Sequence, residues 1–214
     1  MDSAYDTLLA RDPTLRELAA TAGTPDPFVW VDGGRTGSGN FAAMVLHIIG
    51  QQISTTVAFV LFDRLRDAAG GLPDPHNIRA LSPDRMRSLG LSRAKAGYLL
   101  ALADAELNGG LDIEHLDALA DADVIARLTA VRGIGLWSAE MFLLHQLRRP
   151  DVLPAGDMGI RRAVQAMRSP ADLPTIEDVR QTGLAWAPYR SYAAALLWAS
   201  LQKKLSVDRR LDVP

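Results

Sequence analysis

Between two amphipathic stretches the chain carries Gly133-Ile134-Gly135, and no other segment limits the fold so tightly. Glycine lets a backbone turn where a Cβ would clash, so this spacing predicts two helices joined by a very short hairpin. Leu128 and Val131 lead into it, and Ser138-Ala139 follow with side chains small enough for close helix contact. The second helix starts just after the turn. Its first amides then point outward, where an anionic group such as a phosphate is stabilised. One helix length later, Leu153-Pro154-Ala155-Gly156-Asp157 ends in a carboxylate carried on a loop. Residues 128–157 therefore predict a backbone grip for an anion, followed by an acid.

Helix is expected along most of the chain. Phe41, Met44, Val45, Ile48 and Ile49 recur at helical spacing, and Gly50-Gln51-Gln52 breaks that helix. Ser54 is placed to cap a second helix carrying Val57, Val60, Leu61 and Leu65. Short helices between prolines are expected over 76–89, a helix capped by Ser92 after that, and the hairpin pair over 121–131 and 136–148. Further helices are expected over 160–167, 175–184 and 189–205, with another before residue 22 starting at Asp12-Pro13. Residues 23–40 are rich in Gly, Pro, Thr and Asp and read as a loop, in which Phe28, Trp30 and their neighbours form a weak strand candidate. The class predicted is all-α.

Composition excludes more than it assigns. The chain has no cysteine, which rules out disulfides, thiolate zinc sites and cysteine-ligated iron–sulfur clusters. No apolar run approaches the roughly 18 residues that a membrane helix requires, and no signal sequence is recognisable, so no membrane contact and a cytoplasmic location are expected. The net charge of −2 shows no global basic face. A nucleic-acid surface would have to be local, built from Arg148-Arg149, Arg161-Arg162 and Lys203-Lys204, or from backbone amides.

The hairpin, the small residues after it and the Leu-Pro-x-x-Asp ending together resemble the helix-hairpin-helix DNA glycosylase superfamily. FAAMVLHIIGQQIS (41–54), LGLSRAKAGYLLALA (89–103) and LAWAPYRSYAAALLW (184–198) are similar to stretches typical of its 3-methyladenine DNA glycosylase II family. The likeness runs from about residue 11 to 200 and lacks the N-terminal β-rich domain of longer members. It implies an all-α, two-lobed fold with the active site in the interlobe cleft. Residues 39–149 would form one lobe with the hairpin at 121–148, and 1–38 plus 150–214 the other, carrying the aspartate loop.

The resemblance also implies roles. Asp157 matches the catalytic aspartate, although its place before Met158-Gly159-Ile160 equally suits a helix cap. Trp137, Trp186, Tyr189 and Tyr192 are candidates for a base pocket, where electron-rich rings attract a positively charged alkylated purine. Aromatics at helical spacing are also ordinary core residues. Gln52, with Gln51 beside it, matches the position that fills the gap left by an extruded base. Arg132, Gly133, Ile134 and Gly135 are candidate backbone contacts to DNA, with Lys95, Arg161 and Arg190 as further phosphate contacts. Val131 and Ile134 carbonyls would hold any Na or K ion at the hairpin; no other cofactor is expected.

Trp137 stands where bifunctional relatives carry a Schiff-base lysine, and no lysine lies between Lys95 and Lys203. The expected reaction is therefore monofunctional hydrolysis of alkylated purines such as 3-methyladenine and 7-methylguanine in double-stranded DNA, by a monomer. Two rival readings fit the same residues: a glycosylase for deaminated or mismatched bases, and a non-catalytic helix-hairpin-helix DNA-binding protein. The latter would have no use for Asp157.

Overall fold

The computed structural model describes residues 3–29, 32–37, 39–168 and 172–211, with side chains described as far as residue 201. Among the described residues the chain is helical, with two short 3-10 turns and no strand. The all-α class follows directly. Trp30 and Val31, half of the weak strand candidate, lie outside the described residues; Phe28 sits in a turn.

Helices α1 (Ala4–Arg11) and α2 (Pro13–Ala22) meet at Asp12, which ends the first and caps the second. Its carboxylate accepts from the amides of Thr14 at 2.9 Å and Leu15 at 3.2 Å, and Pro13 supplies a φ already suited to a first turn. The sequence pointed to this start. The preceding helix has its own capping box at Ser3 and Asp6.

The middle of the chain, Trp30–Leu147, forms one compact unit; Met1–Val29 and Arg148–Pro214 form another. The expected lobe ran from 39 to 149; the observed unit begins earlier, at Trp30, and ends at Leu147. The turn at 32–37 goes with the middle unit because Arg35 bridges to Asp63 at 3.2 Å and its guanidinium lies over the Phe59 ring.

The middle unit is built on α3 (Asn40–Gly50), which is buried along almost its whole length from Phe41 to Ile49. It is followed by α4 (Thr55–Ala69), capped by the Ser54 hydroxyl as expected. The buried side of α4 is Ala58, Phe62 and Leu65, whereas Val57 and Val60 are exposed. Of the expected apolar set, Leu65 is therefore buried while Val57 and Val60 face outward: at this spacing several apolar sets share the helical period, and packing against α3 selects between them. Then come α5 (Pro75–Ala80), α6 (Pro83–Ser88) and α7 (Arg93–Leu107), the last capped by Ser92. A 3-10 turn, Ile113–Ala118, leads into α8 (Asp121–Thr129) and α9 (Leu136–His145). Helices α4, α7 and α9 all pack on α3.

In the terminal unit, α10 (Met158–Arg168), α11 (Ile176–Gly183) and the long α12 (Arg190–Leu211) join α1 and α2. Both α2 and α10 pack on α12. The core of this unit holds Leu8, Leu15, Ile160, Val179, Trp186 and Leu196. Among the described residues no helix is long and apolar enough to cross a membrane.

Candidate functional site

The hairpin occupies residues 131–135, between α8 and α9. Gly133 has φ +95°, a region L side chains rarely enter, and a Cβ there would overlap the Tyr98 ring. Glycine is required twice over, by the turn and by the aromatic ring packed against it. The Ile134 amide donates to the Val131 carbonyl at 3.1 Å, closing the turn. Val131 and Ile134 bury their side chains, so only their backbones can meet a ligand. Gly135 begins α9 with no side-chain cap, and Arg132 beside it is exposed. An uncapped helix start after a tight turn is suited to an anion.

The structure separates the two glutamines at the break after α3. Gln51 turns inward and donates its side-chain amide to the Gly133 carbonyl at 2.9 Å and to Ser138 Oγ at 3.1 Å. Gln52 is exposed and holds φ at +59°, in the left-handed region. Lys95 is likewise committed within the fold: its ammonium donates to the Ile49 carbonyl at 2.7 Å, at the C-terminal end of α3. Partial burial lowers its pKa from the ordinary lysine value. Trp137 is half-buried in the first turn of α9. His47 and His145 stack with ring centroids 6.5 Å apart, and desolvation holds both largely neutral.

The terminal unit holds the candidate acid. Oδ1 of Asp157 accepts from the Ile160 amide at 2.9 Å and from the Trp198 indole N–H at 2.9 Å. The Arg161 amide donates to the Asp157 carbonyl at 3.0 Å, so Asp157 caps α10 while Trp198, on α12, orients its carboxylate. Cap and candidate acid are the same group. Gly159 leaves the room this needs, since a Cβ there would meet Asp157 Oδ1 at 2.9 Å and the Trp198 ring at 3.1 Å. Sequence reading did not single out Trp198. The available signal was Gly159: glycine in a helix's first turn costs helix propensity and marks a close approach.

Trp186 corrects the expected base pocket. Its ring is 0% exposed and its indole N–H donates to Asp12 Oδ2 at 2.8 Å, so it is a core residue with no face to offer a base. Tyr189 and Tyr192 are half-buried and meet edge to face at 6.0 Å. Tyr192 also meets Tyr5 at 5.3 Å and Phe28 at 5.7 Å, each edge to face, and the Arg148 guanidinium lies over Phe28 at 5.3 Å. The Tyr5 hydroxyl donates to the Pro25 carbonyl at 2.7 Å, and burial raises its pKa above the ordinary tyrosine value.

Two of the candidate phosphate contacts have partners inside this unit. Arg190 forms a two-point ion pair with Asp151, at 2.7 and 2.8 Å, which lowers the Asp151 pKa. Arg161 donates to the Pro174 carbonyl at 2.8 Å and ties α10 to the segment before α11. Lys203-Lys204 lie outside the described side chains.

Comparison with known proteins bears on this geometry. Residues 45–188 match the HhH-GPD superfamily of base excision DNA repair proteins. The chain is 32% identical over 161 residues to DNA-3-methyladenine glycosylase 1 of Schizosaccharomyces pombe, covering 74% of this chain and 71% of that protein. With DNA-3-methyladenine glycosylase 2 of Escherichia coli it shares 29% identity over 168 residues, covering 74% of this chain and 56% of the relative's length. The solved structure of the Schizosaccharomyces pombe 3-methyladenine DNA glycosylase in complex with abasic DNA superposes with a TM-score of 0.82 and 28% identity, covering 91% of this chain and 94% of that one. The matched span takes in the hairpin, Gln51, Gln52 and Asp157, and the chain belongs to the HhH-GPD superfamily of base excision DNA repair proteins.

Proposed function

We propose that this protein is a monofunctional DNA glycosylase that hydrolyses the N-glycosidic bond of alkylated purines, of the 3-methyladenine and 7-methylguanine type, after the nucleotide leaves the duplex stack. The observation that carries the reading is the fixed carboxylate of Asp157, held on Oδ1 by Ile160 and Trp198. As the C1′–N bond breaks, its electron pair goes to the base and positive charge builds on the sugar. A pre-oriented carboxylate stabilises that charge without having to reorganise. Water then forms the new C1′–O bond and gives up a proton, which the carboxylate can accept or guide. An alkylated purine already carries positive ring charge, so it departs as a neutral base.

The relatives named for 3-methyladenine support this substrate class. DNA would be gripped by the hairpin amides around Gly133 and Gly135, which explains how a chain of net charge −2 binds a polyanion. Gln52, exposed at a left-handed turn, is the side chain we assign to the gap left by the extruded base. Trp137, Tyr189 and Tyr192 remain the candidate stacking rings. Val131 and Ile134 present backbone carbonyls, the oxygen donors that suit a hard monovalent cation; the Val131 oxygen, already accepting one amide, retains a second lone pair. Such an ion would strengthen the positive potential of the hairpin toward phosphate.

With Trp137 at the Schiff-base position, the reaction should stop at an abasic site. The test is base release from methylated DNA, followed by strand analysis with and without alkali. Release of 3-methyladenine or 7-methylguanine with the strand intact until alkali is the expected result. Release only from uracil or mismatched thymine would overturn the substrate class, and borohydride trapping of a protein–DNA adduct would overturn the monofunctional assignment.

A further inference from the structure

The α3–α4 turn and the hairpin are far apart in sequence, yet one side chain fastens them together. Gln51 ends α3, and its amide nitrogen reaches both the Gly133 carbonyl at 2.9 Å and Ser138 Oγ at 3.1 Å. Those two acceptors lie on either side of the hairpin's exit into α9. Helix α7 braces the same assembly at two further points. Lys95 holds the Ile49 carbonyl at 2.7 Å, just before the turn, and Tyr98 packs against Gly133. The residue after Gln51 is the exposed, left-handed Gln52.

We propose that Gln51 is a positioning residue that joins the phosphate-gripping hairpin to the α3–α4 turn, so that gripping the backbone and presenting Gln52 to the duplex become one rigid event. The inference rests on the reading in which Gln52 enters the stack. The chemistry is specific to a primary amide. Two N–H donors serve two acceptors, and bonding to the Gly133 carbonyl fixes the plane of the peptide that leads into Ile134 and Gly135. A carboxylate of the same shape has no donor to offer and would face the carbonyl oxygen. A thioether of similar length fills the space and bonds neither acceptor. With the tie broken, the hairpin still binds backbone phosphate, but the turn no longer arrives in register, and what is lost is preference for a site where the stack is open.

The test uses the full chain and two fluorescent duplexes of one sequence, one intact and one carrying a tetrahydrofuran abasic site. Wild type should prefer the abasic duplex. Gln51→Met and Gln51→Glu should lose about tenfold of that preference while binding the intact duplex to within about twofold of wild type. Ser138→Ala, which removes only one of the two acceptors, should lose about threefold. A merely structural role would lower Tm and leave the ratio of the two affinities unchanged. Folded Gln51→Met with a wild-type ratio overturns the proposal, and so does a parallel loss on both duplexes. Gln52→Ala separates the layers: loss of preference there with none in the Gln51 variants overturns only the coupling, whereas an unchanged ratio in Gln52→Ala removes the reading on which it rests.

Discussion

Trp198 donates its indole N–H to Asp157 Oδ1 at 2.9 Å, across 41 residues of sequence, and the same oxygen accepts the Ile160 amide. The carboxylate that caps α10 is thereby also held from α12. The cap alone would fix the carboxylate relative to α10; the indole fixes it relative to α12 as well, and two anchors on different helices leave little rotational freedom.

Asp157→Asn tests the acid. Asparagine can still cap α10 through its side-chain oxygen, so the Tm should change little. Base release should fall by at least about 100-fold, because the negative charge is gone where positive charge develops. Affinity for an abasic duplex should persist. Release at the wild-type rate would remove Asp157 from the mechanism.

Trp198→Phe keeps an aromatic ring on α12 and deletes the N–H. We expect kcat to fall about tenfold, the order of one charge-assisted hydrogen bond, with KM and DNA affinity nearly constant. Gly159→Ala approaches the same pair sterically, with its Cβ 2.9 Å from Asp157 Oδ1, and should lower kcat in the same direction. Steady-state kinetics on one methylated duplex checks both.

Trp186→Phe distinguishes a core ring from a pocket wall. Loss of the bond to Asp12, which is itself buried, should cost about 1–3 kcal/mol of stability by denaturant unfolding. Base release per folded molecule should be unchanged. A changed lesion spectrum at full folding would return Trp186 to the pocket.

Gly133→Ala should be the most damaging change in the hairpin. The residue holds φ at +95° and its new methyl would overlap the Tyr98 ring. Strain and overpacking together should cost about 2–4 kcal/mol, with loss of binding to intact and abasic duplexes alike. Fluorescence anisotropy beside thermal unfolding measures both.

The His47–His145 pair predicts how stability varies with pH. Burial lowers the pKa of His47 well below 6.5 and that of His145 to about 4. The folded state then stays neutral where the unfolded state already binds protons. The contribution is present in full above pH 6.5 and is lost progressively as pH falls from 6.5 toward about 4. His145→Gln should flatten the stability curve over that window in urea titrations. The Asp151–Arg190 pair titrates lower, since the Asp151 pKa lies below 3.8, and its loss follows at more acid pH.

Local features of the chain were sufficient for helices, caps and the hairpin. Ser54, Ser92 and Asp12 announce helix starts because a short polar side chain satisfies amides within its own turn. Gly133 and Gly135 announce the hairpin because backbone geometry at such a turn is decided within a few residues, and Asp157 stood out because a carboxylate at a loop end is a local fact. Which apolar side of α4 faces inward is decided by its packing on α3, while whether Trp186 is core or pocket, which glutamine turns toward the hairpin and what holds Asp157 depend on partners 41 to 174 residues away: Trp198 for Asp157, Ser138 for Gln51, Asp12 for Trp186. Hydrogen bonds to buried indoles and carbonyls are set by how helices pack, and packing is a property of the assembled units. The sequence by itself determined the kind of fold, the hairpin turn and the carboxylate at the head of α10; the tertiary structure decided which side chains hold them, because those contacts exist only once the helices pack.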